Sequence, residues 1–239
     1  MNYYKTIFRG DYKPMLSFYD KLCSVAQAFR GYPDWWTDRL SVTLQNFELH
    51  CSVQLAHSWY VYAQDAKGDS DEDDRRIREV IEVVASSLPL TEYKRVGFRR
   101  IYFYPVSMEF ENLVLVVADK LFVQNEQVKA GICPRPEDVA YAVDFGVDSA
   151  KIKLRAGPVR GEELERHLQP DRNNNFPVKE RFLPANEIYS GLEVGLLVDL
   201  DYGQETVKAN ETLDFYNAAV AFHEKLTKNI VSYIFGLGN

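Results

Sequence analysis

The stretch Tyr93-Lys94-Arg95-Val96-Gly97-Phe98-Arg99-Arg100-Ile101-Tyr102-Phe103-Tyr104, closed by Pro105, decides how the fold is read. Its Val, Ile, Phe and Tyr favour extended chain, and successive side chains of a strand point to opposite faces. Arg95, Gly97, Arg99, Ile101 and Phe103 then share one face, and Lys94, Val96, Phe98, Arg100, Tyr102 and Tyr104 the other. Each face mixes guanidinium with apolar groups, so at least one arginine is expected to be partly buried. A buried guanidinium is costly unless it meets a carboxylate or a bound anion. The stretch therefore calls for an Arg–carboxylate pair holding sheet to helix, or for an anion site. Gly97 lets a backbone or ligand come close.

Outward from this strand, the N-terminal third reads as antiparallel strands over Leu40–Leu49 and Ser52–Ala63. In the second run Val53, Leu55, His57, Trp59 and Val61 alternate onto one face. Gly31-Tyr32-Pro33-Asp34 signals a turn, followed by Trp35 and Trp36. Ile77, Val80, Ile81, Val84 and Leu88 recur at helical spacing and predict a helix over 70–88, ended by Pro89. Residues 107–122 read as a mostly buried helix, although Leu-Val-Leu-Val-Val leaves a strand core open. Val139–Phe145 and Ala150–Val159 alternate on either side of a turn at Gly146-Val147-Asp148. A short helix, Glu162–Leu168, leads into a loop from Gln169 to Ala185 with three prolines. A strand, Leu192–Tyr202, and a long helix, 210–235, close the chain. Strand runs followed by helices, without βαβα alternation, predict an α+β fold. The expected architecture is curved antiparallel sheets in two joined lobes, helices packed on one face and a long C-terminal helix. The whole chain, 1–239, reads as one compact unit, with sub-lobes 1–125 and 126–239 meeting near Asn125.

The bulk numbers exclude more than they identify. The chain has 239 residues, 46% of them hydrophobic, and a net charge of −7. The longest apolar run, Leu113–Ala118, is far short of the roughly 20 residues a bilayer span needs, so no membrane association is expected. Met1–Lys5 lack the apolar run of a secretory signal. Cys23, Cys51 and Cys133 are widely spaced and form no CxxC pair, which fits free thiols in a reducing, cytoplasmic setting. The acidity speaks against a general nucleic-acid binder. It is concentrated in Asp65, Asp69, Asp71, Glu72, Asp73 and Asp74, however, so a local basic patch elsewhere remains compatible. There is no GxSxG elbow, P-loop, GxGxxG after a strand, HExxH or Cys/His quartet, and only four histidines. No cofactor and no metal are called for, and the reading leans away from an enzyme.

Individual polar positions sharpen the picture. Asp69, Asp71 and Asp73 have the spacing of a calcium loop, but Asp74 and Val80 stand where its Gly and Glu belong. A helix N-terminus, with Ser70 as cap and acids in the first turn, accounts for them better. Asp199 and Asp201 share a strand face about 7 Å apart and are expected to receive Arg95 or Arg99, with Tyr202-Gly203 finishing the strand. His57 and His223 both lie on apolar faces and read as core residues. Lys151, Lys153 and Arg155 alternate with Ile152, Leu154 and Ala156 as the wet face of an antiparallel strand, or as a stripe for phosphate-bearing ligands.

Arg95-Val96-Gly97-Phe98-Arg99-Arg100-Ile101 resembles the central R-[IV]-G-[LF]-R-x-I motif of a sporadically distributed family of uncharacterised prokaryotic proteins. Leu196-Leu197-Val198-Asp199-Leu200-Asp201 is similar to that family's hydrophobic-D-hydrophobic-D strand, and His223-Glu224 followed by Ile230 and Phe235 to its closing helix. The sequence departs from the pattern at Arg100-Ile101-Tyr102-Phe103, where members often carry Tyr-Ile-Asn. The resemblance implies a shared domain, and its patchy distribution implies an accessory role in a mobile-element or defence system; it implies no catalysis. The leading expectation is a cytoplasmic, non-catalytic binding or protein-interaction module, with Trp35, Trp36 and the 169–185 loop among its contacts. An enzyme or anionic-ligand pocket centred on Arg95, Arg99, Asp199 and Asp201 is the alternative. Nucleic-acid association through Lys151, Lys153 and Arg155 comes third.

Overall fold

The alternating stretch around Gly97 is a long central strand, and its neighbours build outward from both of its edges. The computed structural model describes residues 3–15, 17–37, 41–67, 71–121, 136–168 and 194–236. In chain order they form β1 (Tyr3–Tyr12), α1 (Phe18–Ala28), β2 (Asp34–Thr37), β3 (Ser41–Asn46), β4 (Cys51–Ala56), β5 (Trp59–Lys67) and α2 (Asp71–Ser87). Next come β6 (Glu92–Pro105), α3 (Phe110–Leu121), β7 (Tyr141–Val147), β8 (Ala150–Arg160), α4 (Gly161–Leu168) and β9 (Val194–Lys208). A 3-10 turn (Ala209–Glu211) then leads into α5 (Thr212–Phe235). The strands form one sheet in the order β2-β3-β4-β5-β1-β6-β9-β8-β7, and every adjacent pair is antiparallel. With helices on one face and the long α5 at the end, this is the α+β architecture the alternation predicts. Asn125 and the 169–185 loop lie outside the described residues.

The helix-bearing face carries two apolar clusters. In the first, Phe8, Tyr60, Tyr62, Val96 and Phe98 of the sheet meet Phe18 and Val25 of α1, Ile77, Val80, Ile81 and Val84 of α2, and Phe215, Tyr216 and Ala219 of α5. In the second, Ile152, Leu154, Leu196, Val198 and Leu200 meet Phe110, Leu113, Val114 and Val117 of α3 and Ile234 of α5. The spacing of those α3 residues is helical, and Leu115 between them is exposed, which settles the ambiguous 107–122 stretch as a helix. Four acids occupy the first turn of α2, where the helix dipole favours them. Gly236, at φ 65°, ends α5 in the left-handed conformation that glycine adopts without strain.

Three sequence expectations need correction. Ser52–Ala63 is not one strand but the β4–β5 hairpin, in which Ala56 pairs with Trp59 across a two-residue His57-Ser58 turn. Such a turn pairs Leu55 with Tyr60 and so inverts the parity of the second arm, placing Val61 on the face opposite Leu55. Alternation concealed the turn because β4 is buried on both faces. The second hairpin turns at Asp148-Ser149, slightly later than predicted, with Asp148 at φ 50°. Tyr202-Gly203 does not finish β9: the strand runs on to Lys208, because Gly203 faces Gly97 of β6 and the ladder passes through both glycines. No described helix is long and apolar enough to cross a membrane.

Near its far end β9 holds Thr206 at φ 57°, exposed, a conformation that a β-branched residue adopts only under strain. Thr206→Asn is expected to raise stability by about 0.5–1 kcal/mol, since asparagine tolerates the left-handed region. Chemical denaturation checks this, and an unchanged or lower midpoint would show that the strain is relieved elsewhere.

Candidate functional site

From Arg95 onward the odd-numbered side chains of β6 point away from the helices, and the register brings chemically matched rows beside them. Lys153, Asp201, Arg99 and Ile7 form one row across β8, β9, β6 and β1. Arg155, Asp199, Ile101 and Lys5 form the next. On the other side run Lys151, Gly203, Gly97 and Arg9, and beyond them Glu205, Arg95 and Asp11. The two glycines leave the floor low, and the result is a groove of about 390 Å³. Arg95 lies across Gly203, where a Cβ would come within 3.3 Å of its Nη2.

The groove is lined by five cations (Arg9, Arg95, Arg99, Lys153 and Arg155) and three carboxylates (Asp11, Asp199 and Asp201). Each carboxylate takes one guanidinium. Arg99 donates to both oxygens of Asp199, from Nε at 2.8 Å and Nη2 at 2.7 Å, the fork-to-fork geometry of a strong pair. Arg9 donates twice to Asp11 Oδ1, at 2.9 and 2.7 Å. Arg95 Nη2 stands 3.5 Å from Asp201 Oδ2, a looser contact. Lys153 and Arg155 then form no ion pair among the described residues and point outward on the exposed face of β8. Burial raises the pKa of Asp201 above the usual carboxylate value; Arg95 and Arg99 pull it down, Asp199 pushes it up again, and Lys153 on the neighbouring strand adds the smallest downward pull. Among the described residues, no group of three or more His, Cys, Asp or Glu side chains is placed to hold a metal ion.

The structure thus brings Arg95, Arg99, Asp199 and Asp201 together with Lys153 and Arg155. Lys151 sits at the margin, paired with Glu205 at 2.8 Å. Trp35 is 66% exposed on β2, an edge strand four positions from β1 in the sheet order, and is not part of the groove; Trp36 shares that strand, its side chain lying outside the described residues. Arg9 and Asp11 belong to the site although the sequence reading did not single them out. The available signal was the charge on alternate residues in Lys5, Arg9 and Asp11.

The sheet-to-helix ion pair is made by Arg100, on the other face of β6. This side chain is 1% exposed. Its Nη2 donates to Asp74 Oδ1 of α2 at 2.6 Å, its Nε to Thr6 Oγ1 at 3.0 Å, and its guanidinium lies 5.0 Å from the centre of the Phe98 ring. The Tyr216 hydroxyl of α5 donates to the same Asp74 oxygen at 2.6 Å. Burial first, and then the Asp74 charge, push the Tyr216 phenol far above its ordinary pKa, so it stays a donor. Asp74 is therefore more than a first-turn helix acid: it ties α2 to β6 and α5. Asp69 and Ser70 lie outside the described residues.

His57 sits in the β4–β5 turn, whereas His223 packs on α5 against Phe98, with ring centres 4.7 Å apart. The sheet order puts two strands between the turn's β5 edge and β9, and the histidines occupy separate environments. Comparison of the chain with protein-family models gives no match, and comparison with curated proteins gives none.

Proposed function

We propose that the protein is a non-catalytic binding module that holds a phosphate- or carboxylate-bearing partner on the charged face of its sheet, in a reducing, cytoplasmic setting. The observation that carries this reading is the imbalance in the groove: three carboxylates take up Arg9, Arg95 and Arg99, and Lys153 and Arg155 are left over on a rigid strand. Alternate residues of a strand stand about 7 Å apart on one face, a spacing at which two cations can share one anionic group. The paired arginines fix the floor, and the outward pair supplies the charge. Carboxylates already engaged with guanidinium groups are suited to holding charge in place rather than to moving protons. Cys51, a buried free thiol, is consistent with a reducing compartment.

Inorganic pyrophosphate serves as the probe. Titration calorimetry at low salt is expected to show saturable binding to the wild-type protein, weakening as salt is added. Lys153→Ala/Arg155→Ala is expected to weaken it at least tenfold while leaving the unfolding midpoint nearly unchanged, since both side chains are exposed. Equal uptake by the two proteins would overturn the assignment, and so would an absence of uptake by the wild type.

A further inference from the structure

The sheet ends differently at its two margins. β2, at one edge, has only four residues, and a ladder that short offers little to another chain. β7, at the other, has seven, paired with β8 in an unbroken register and, among the described residues, with no strand on its outer side. It carries none of the usual guards of an exposed edge: no proline, no lysine and no bulge. A two-residue turn joins Val147 to Ala150, so these two residues form a hydrogen-bonded pair, and along the hairpin bonded and non-bonded pairs then alternate. The N–H and C=O groups of Ala142, Asp144 and Gly146 therefore face outward, a row of donors and acceptors at strand spacing.

The side chains along this edge show which strand fits it. Tyr141, Val143 and Phe145 point to the helix side and are each half-buried. The Phe145 ring lies 6.4 Å from that of Phe222 on α5, so the partly open margin of the second apolar cluster runs from β7 onto the helix. On the groove side the strand presents Ala142 and Asp144, and Arg155 of β8 stands opposite Ala142. These features complement themselves. With a second copy of β7 laid antiparallel, Val143 opposite Val143, Tyr141 meets the other copy's Phe145 and Ala142 meets its Asp144, each pair twice. Ala142 and Asp144 are residues whose backbone groups face outward, so the ladder closes. Arg155 then reaches over the Ala142 methyl group to the second copy's Asp144, two strands and about 10 Å away. Centring the pairing on Asp144 instead sets like charges against each other, which disfavours it. We propose that the protein forms a two-fold dimer through its β7 edges, joining the two sheets into one. Each Asp144 then lies between its own Lys153 and the second copy's Arg155. Two cations face each carboxylate, so the charged face keeps a positive excess and anion binding is tested separately.

Sedimentation velocity of the full chain is the test. Wild type is expected to run at twice the mass of one chain and to stop there, because the two-fold contact occupies both β7 edges. Asp144→Arg, at an exposed position, is expected to weaken association at least tenfold, since two repulsive contacts replace two attractive ones. Adding Arg155→Asp to that variant reverses both partners and is expected to restore the dimer, which a merely disordered edge would not do. Ala142→Pro removes an outward N–H, leaves the bonds to β8 in place and is expected to give a monomer with an unchanged circular dichroism spectrum. Val143→Cys is expected to yield a disulfide between two chains on mild oxidation where wild type yields none, because residues opposed at a non-hydrogen-bonded pair stand within disulfide reach. A monomeric wild type, a dimer untouched by Asp144→Arg and Ala142→Pro, a doubly reversed variant that stays apart, or growth beyond two chains would overturn the inference.

Discussion

Asp74→Ala is expected to destabilise the protein by about 3–5 kcal/mol, the range seen when one partner of a buried ion pair is removed. The loss has two parts. Arg100, 1% exposed, keeps its charge with no carboxylate to meet it, and the Tyr216 hydroxyl loses its acceptor. A chain of this size loses roughly 2–4 °C of Tm per kcal/mol, so the midpoint should fall by about 6–20 °C. Arg100→Met in the same background is expected to recover part of the loss, since two apolar replacements leave no buried charge behind. Thermal unfolding of the two single variants and the double variant forms a cycle. A single-variant loss below about 1 kcal/mol, or strict additivity, would show that solvent reaches Arg100 and that the pair is not structural.

The second large effect is a loss of stability in mild acid that depends on His223. This imidazole is fully buried against the Phe98 ring, and Arg100 stands nearby. Burial first, and the Arg100 charge second, hold its pKa well below the ordinary value, while the Phe98 backbone pulls weakly the other way. The unfolded chain then binds a proton that the folded chain refuses. Stability is therefore full above the ordinary histidine range and falls as pH drops through it, by about 1.4 kcal/mol per pH unit for one such group. His223→Leu is expected to remove that slope between pH 7.5 and 5.5 and to leave stability at pH 7.5 equal or higher. Urea denaturation at several pH values in this window separates the effect from carboxylate titration. Parallel slopes in wild type and variant would assign the acid sensitivity to other groups.

What the sequence disclosed depends on how local the governing interaction is. The helices α2, α3 and α5 and the strands β7 and β8 carry periods that survive in the chain, because each has a wetter and a drier side. The β4–β5 hairpin does not, since Val53, Gln54, Leu55 and Ala56 are all buried and its turn is His-Ser. The continuation of β9 past Gly203 was hidden for another reason: glycine reads as a stop unless its partner across the ladder, Gly97, is known. In the groove, Arg95, Arg99, Asp199 and Asp201 could be named from parity alone. Their division into a bidentate pair and a loose one depends on register between strands a hundred residues apart. Asp74 looked like a solvated helix acid, and only the packing of α2 over β6 turns it inward.

The strand order has a mechanical corollary. β6, from the first half of the sequence, is laced along thirteen paired positions to β9, from the second half, and α5 lies across both oily patches, with Phe215 in one and Ile234 in the other. Severing the polypeptide midway would strip the lid from Phe8 and Phe98 and leave β9 without its neighbour β6. Neither piece would dry its own interior, so both patches are expected to melt in one transition, which calorimetry would read as a single peak.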